Sequence, residues 1–252
     1  MPGHGVLLLD LDGTTCRGDA AVLEYARLVD SGLTSNPGWS VTAALEDFLA
    51  GTRRDGPLAT AQDGYQAVTA LAERAGVPPE TVRAAFHTVR AGLAAGDIAA
   101  EAPPGLDSLL SHLRSSGIRV LIVTNAPSAG LDAIVDHLGL GGVVDDVVGD
   151  AGKPAGLVDL VDRELRRAGA ADEPWRLLSV GDIWENDLRP ALARRCVAMY
   201  VDRFDRRQGP AHAREPALEG LYDHIRRWVS ITMSPPSDVE SVHAIYPPFA
   251  RE

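Results

Sequence analysis

The chain has 252 residues, 45% of them hydrophobic and 23% charged, enough apolar content for a full core and an expectation that most of it folds. Its formal net charge of −11 and isoelectric point near 5.1 argue against nucleic acid or an anionic membrane as partner, and an anionic substrate would need a local positive centre. No apolar run approaches the roughly 18 residues of a membrane span, a basic-then-apolar leader is not seen, and Cys16 and Cys196 lack metal-ligand spacing. The expected location is the cytoplasm.

The first predicted element is the buried strand Val6-Leu7-Leu8-Leu9, which runs into Asp10-Leu11-Asp12-Gly13-Thr14-Thr15. In an open α/β sheet, chemistry collects beyond the carboxyl ends of the strands. Alternation would send Asp10 and Asp12 to opposite sides, but Gly13 lets the backbone bend and bring both carboxylates to one centre.

The segment from Cys16 to Pro104 is too long for a loop in a compact domain. It is rich in alanine, with helical patterns over residues 41–49, 64–75 and 81–93. It reads as a helical insertion and a candidate lid, with Gly18 and Gly96 as hinge positions. Arg53 and Arg54 fall in a turn of this insertion and read as solvated.

Beyond it, helices and strands alternate. Leu106, Leu109, Leu110 and Leu113 recur at helical spacing before a strand at 118–124 that closes on Thr124-Asn125. A strand at 143–148 precedes Gly152-Lys153-Pro154 and a helix carrying Leu157, Leu160, Val161 and Leu165. A strand at 177–180 opens Gly181-Asp182-Ile183-Trp184-Glu185-Asn186-Asp187, and another spans 197–201. Such alternation implies right-handed β-α-β crossovers and a parallel sheet covered on both faces, an α/β fold. Arg203, Arg206 and Arg207 read as a solvated turn. A helical stretch at 218–229 is followed by a proline-bearing tail, residues 231–252, expected to be irregular.

Asp-x-Asp-Gly-Thr, Thr124, Lys153 and Gly-Asp-x4-Asp, in that order, resemble the four motifs of the haloacid dehalogenase superfamily of phosphohydrolases, over residues 6 to about 202. The resemblance implies a three-layer Rossmann-like core (residues 1–16 and 104–230) with a small all-helical cap (residues 17–103). It implies Asp10 as nucleophile, Asp12 as general acid and Lys153 as a catalytic cation. Thr124, Asn125 and Lys153 would receive the substrate phosphate. Mg²⁺ would be held by Asp10, the Asp12 carbonyl and Asp182, with Asp187 in an outer shell. With Mg²⁺ and Lys153 present, the charge of the four carboxylates nearly cancels, which a phosphate dianion requires.

The expected activity is hydrolysis of a small phosphorylated metabolite. Asp12 argues against a dehalogenase, and the lysine-free helical segments argue against a phosphonate-cleaving relative. A phosphomutase would share the site and differ in the acceptor. An inactive binding module would be expected to have lost one of Asp10, Asp12, Lys153 or Asp182. Nothing in the sequence names the substrate, the pathway or the oligomeric state.

Overall fold

The computed structural model describes residues 5–33 and 39–233. By internal contacts the chain divides into two compact units, one formed by Met1–Arg17 with Ala102–Glu252 and the other by Gly18–Glu101.

The first unit is built on six strands: β1 (Gly5–Leu9), β2 (Ile118–Val123), β3 (Asp146–Val148), β4 (Leu177–Gly181), β5 (Val197–Val201) and β6 (Ala213–Glu215). They form one sheet in the order β3-β2-β1-β4-β5-β6, and every neighbouring pair is parallel. β1 is central, with Leu7 in register with Val120 on one side and Leu178 on the other. All five of its residues are buried, which is why it reads as a continuous apolar run rather than an alternating one.

Val6 and Leu8 face a cluster that includes Leu121, Val123, Leu157, Leu160, Val161, Leu165 and Tyr200. Its leucines at 157, 160 and 165 belong to helix α7 (Ala155–Arg167), whose buried residues follow the helical period. Leu7 and Leu9 point to the opposite face and are equally buried. Truncating one such leucine to alanine costs about 2–5 kcal/mol.

The remaining helices of this unit are α5 (Leu106–Ser115), α6 (Leu131–His137), α8 (Arg189–Ala193) and α9 (Tyr222–Met233). Helix α9 runs to Met233, into the expected irregular tail of residues 231–252, and is preceded by a 3₁₀ turn at Leu218–Leu221. Residues 234–252, the rest of that expected tail, lie outside the described residues. The expected strand at 143–148 begins only at Asp146. Val143 instead donates its N–H to Leu140 O within a turn, and the Asp145 carboxylate takes the N–H of Val120.

The second unit holds α1 (Ala20–Ser31), α2 (Val41–Leu49), α3 (Gly64–Arg74) and α4 (Pro79–Ala95). Three of these starts, those of α2, α3 and α4, carry a physical start signal. Ser40 accepts the N–H of Ala43 (3.0 Å) and Asp63 that of Gln66 (2.7 Å), so both act as N-caps. Pro79 opens α4, where its missing N–H costs nothing, and Gly96 closes it in the left-handed region. Tyr25, Tyr65 and Phe86 meet with ring centroids about 6 Å apart, joining α1, α3 and α4. Among the described residues no helix is long and apolar enough to cross a membrane.

Candidate active site

The site lies where β1, β2 and β4 end. Asp10 stays in register with the sheet by donating its N–H to Val180 O (2.9 Å). The chain then folds sharply back. Leu11 O receives the N–H of Cys16 (2.7 Å), Gly13 donates to Cys16 O (2.9 Å), and the Thr15 hydroxyl donates to Asp10 O (2.9 Å). Gly13 sits at φ +86°, and a Cβ there would lie 2.3 Å from Asp182 Oδ2. Glycine is therefore required twice, for the turn and for the approach of Asp182. Asp12, two residues beyond Asp10, is half-buried in this turn.

Lys153 enters from the loop before α7 and spends all three ammonium protons inside the protein. It donates to Asp10 Oδ1 (2.6 Å), Asp187 Oδ1 (2.6 Å) and Val123 O (2.9 Å). It is the only lysine in the sequence. A compact ammonium suits three convergent acceptors that a planar guanidinium could not satisfy together. Burial alone would lower its pKa, but the Asp10 and Asp187 carboxylates outweigh that and hold it above the ordinary lysine value.

Asp187 belongs to a single π-helical turn, Trp184–Leu188, of the kind found at functional sites. Its Oδ2 accepts the N–H of Ile183 (3.1 Å), and Ser179 pins its carbonyl (2.7 Å). Burial pushes its pKa up to about 6, with Lys153 opposing and Asp10 reinforcing. One carboxylate oxygen each from Asp10, Asp182 and Asp187 falls within 4.8 Å of the others. Three clustered hard oxygen donors against one ammonium leave a charge deficit that a small divalent cation fits. Among the described residues, nothing donates to Asp10 Oδ2.

Thr124 and Asn125 end β2 as expected, and their side chains are already engaged. Thr124 Oγ accepts the N–H of Ala126 (3.0 Å), which leaves its own proton to donate. Asn125 grips the main chain of Lys153 from both ends, accepting its N–H (2.7 Å) and donating to its carbonyl (3.0 Å). Among the described residues, no acceptor takes the main-chain N–H of Asn125. The next loop is fastened to this one: Asp150 accepts the N–H and hydroxyl of Ser128 (2.8 and 2.7 Å), which hold its carboxyl below the usual range.

Thus Asp10, Lys153, Asp182 and Asp187 converge, with Asp12, Thr124 and Asn125 on the adjoining turns. Sequence reasoning missed the supports: Val123 O, Thr15, Ser179, and the Asn125 clamp on Lys153. That Lys153 is the only lysine in the sequence is a further compositional signal, one that the motif reading did not use. Cys16 is buried, in keeping with packing.

A haloacid dehalogenase-like hydrolase family model matches residues 5–193, from β1 through α8. The chain belongs to the haloacid dehalogenase-like hydrolases. Among solved structures it is similar to the magnesium-bound HAD hydrolase YfnB of Bacillus subtilis (TM-score 0.60, 18% identity, 88% of this chain and 98% of that one). It is also similar to an L-2-haloacid dehalogenase, RSc1362 (0.56, 16%, 90% and 100%), and to a HAD phosphatase of Thermococcus onnurineus (0.53, 20%, 88% and 97%). At these identities the likeness is one of fold. No curated protein matches the chain in sequence. In this family frame the six-stranded parallel sheet is a Rossmann-like core, and the four helices of Gly18–Glu101 are an insertion between β1 and β2.

Proposed function

We propose that this hydrolase is a Mg²⁺-dependent, cytoplasmic phosphatase that cleaves small phosphomonoesters through an aspartyl-phosphate on Asp10. The observation that carries the reading is the pairing of a lysine-tethered, buried Asp10 with a second, more exposed carboxylate, Asp12, on the same glycine turn.

In the first step an Asp10 oxygen forms a bond to phosphorus as the bond to the leaving oxygen breaks. Asp12 gives its proton to that oxygen, and the alcohol leaves. In the second step Asp12, now a carboxylate, takes a proton from water. The water oxygen bonds to phosphorus, the bond to Asp10 breaks, and phosphate departs. Lys153 holds Asp10 through Oδ1 and fixes its rotamer, while Asp187 and Val123 O fix Lys153. Thr124 and the main-chain N–H of Asn125 are the donors for the transferred phosphoryl oxygens. A divalent cation would be held by Asp10, Asp182 and the Asp12 carbonyl, with Asp187 in an outer shell, and would supply the positive charge that phosphoryl transfer needs.

Several structural neighbours are named as dehalogenases. Halide leaves as a stable anion and needs no proton, so a dehalogenase has no use for Asp12 as an acid. The test is phosphate release from a panel of small phosphomonoesters, with Mg²⁺ or with EDTA, by wild type and Asp10→Asn. Metal-dependent release abolished by Asp10→Asn is expected. Halide release from 2-haloacids without phosphate release from any ester would overturn the reading.

A further inference from the structure

Lys153 brings one ammonium to Asp10 Oδ1, Asp187 Oδ1 and Val123 O. Those acceptors orient the end of the side chain but not its root. A lysine stem is long and flexible, so the direction in which it leaves the backbone has to be set by the main chain. The local chain is poorly suited to do this alone. Gly149, Gly152 and Gly156 surround Lys153 in sequence, and Gly152 sits at φ +63°, where glycine supplies freedom rather than stiffness. Helix α7, which follows, starts without a side-chain cap.

The fixing comes from the loop after β2. Asn125 Oδ1 accepts the N–H of Lys153 (2.7 Å), and Asn125 Nδ2 donates to the Lys153 carbonyl (3.0 Å). One planar amide therefore holds both peptide groups that flank the Lys153 Cα, and so restricts φ and ψ of that residue together. Asparagine suits the task because its side chain offers an acceptor and a donor at the same end. Aspartate would set an oxygen against the Lys153 carbonyl, and alanine would answer neither group.

The two loops are joined along their length. Thr124 donates its N–H to Val148 O (2.9 Å) and accepts the N–H of Ala151 at its carbonyl (3.0 Å), while Asp150 donates its N–H to Ala126 O (2.8 Å). The Asp150 carboxylate holds Ser128 from the other side. A Cβ on Gly149 would lie 2.7 Å from Ser128 Cα, so the close approach of the loops is written into the sequence. Asn125 makes the tie that ends on Lys153 itself.

We propose that the Asn125 side chain is a positioning residue for the nucleophile: it seats the main chain of Lys153, and through it the ammonium that holds the Asp10 carboxylate, and it is not itself a substrate contact. The inference rests on the reading of Asp10 as nucleophile and adds to it a residue that acts on the reacting atoms only through Lys153.

Lys153 is the only lysine in the sequence, so amine acylation followed by peptide mapping reports how well it is seated. Asn125→Ala is compared with wild type and with Ile225→Val, a small truncation in buried α9 packing that touches stability alone. In Asn125→Ala, acylation of Lys153 under native conditions should be about tenfold or more faster, since two hydrogen bonds that hold it are gone. On the best-cleaved phosphomonoester its kcat should fall about 10–100-fold, with KM within about twofold of wild type. Ile225→Val should match wild type in both. Asn125→Asp, nearly the same shape, keeps the acceptor for the Lys153 N–H; it should fall between the two, and it decides the matter if the alanine variant does not fold. A rise in KM at unchanged kcat would make the side chain a substrate contact and overturn the inference. So would acylation that stays slow while kcat falls, or acylation equally fast in Ile225→Val. Release of phosphate from no ester by wild type would overturn the phosphatase reading, and the acylation rates would still decide whether Asn125 seats Lys153.

Discussion

The effect of replacing Asp12 should depend on the leaving group. Asp12→Asn should lower kcat by about 10²–10⁴-fold on alkyl phosphates. It should lower it far less on p-nitrophenyl phosphate, whose phenolate departs without a proton. A steady-state comparison of the two esters checks this, and an equal loss on both would remove Asp12 from the acid role. Lys153 carries a different prediction. Lys153→Met leaves Asp10 and Asp187 buried and facing one another, and should cost about 3–5 kcal/mol in denaturant unfolding along with activity. Because Lys153 is the sole lysine and is buried, amine acylation of the native protein should leave it unlabelled until denaturant is added. Cys196, whose thiol burial pushes up to about 12, should likewise be inert to disulfide reagents at pH 8 in the native state. Peptide mapping reads both.

At the scale of elements, the caps of the helical unit are testable alone. Ser40→Ala and Asp63→Ala should each lower stability by about 1 kcal/mol, measured by denaturant titration, since each leaves a helix N–H unanswered. The same scale explains what the sequence disclosed. β1, β4 and β5 are buried on both faces, so their apolar runs stand out, and α2 and α7 carry wide apolar stripes. Helix α1 escaped notice although Val22, Tyr25, Ala26 and Val29 have helical spacing; its signal lay inside the long insertion. Helix α6 is one seven-residue stretch behind Gly130. β6, Ala-Arg-Glu, has no apolar pattern at all and exists because β5 offers it main-chain partners. Asp10 and Asp182 were legible because each directly follows the end of a strand, β1 and β4, whereas Lys153 and Asp187, in the loop before α7 and in the π-helical turn, stood out only as members of an ordered motif set. The clamp of Asn125 on Lys153 was not, because it joins main chain to side chain across 28 positions.

For the whole molecule, the net charge of −11 makes binding of a divalent cation a stabilising event with a readout apart from turnover. Mg²⁺ at about one hundred times its Kd should raise unfolding free energy by about 2.7 kcal/mol. Asp182→Asn should abolish that gain; an unchanged shift in the variant would place the ion elsewhere. The two units recorded by the contacts carry separate cores, so calorimetry should show the Mg²⁺ shift in the transition of the sheet-bearing unit if the two melt apart.

The central claim is that phosphate passes through Asp10. Acid-quenching the enzyme within its first turnovers on a cleaved ester, then digesting and weighing the peptide that spans Asp10, tests it most directly. One phosphoryl group is expected on Asp10, lost in mild base and missing in Asp10→Asn. Phosphate release with an unmodified Asp10 peptide at every quench time, and with activity retained in Asp10→Asn, would contradict it.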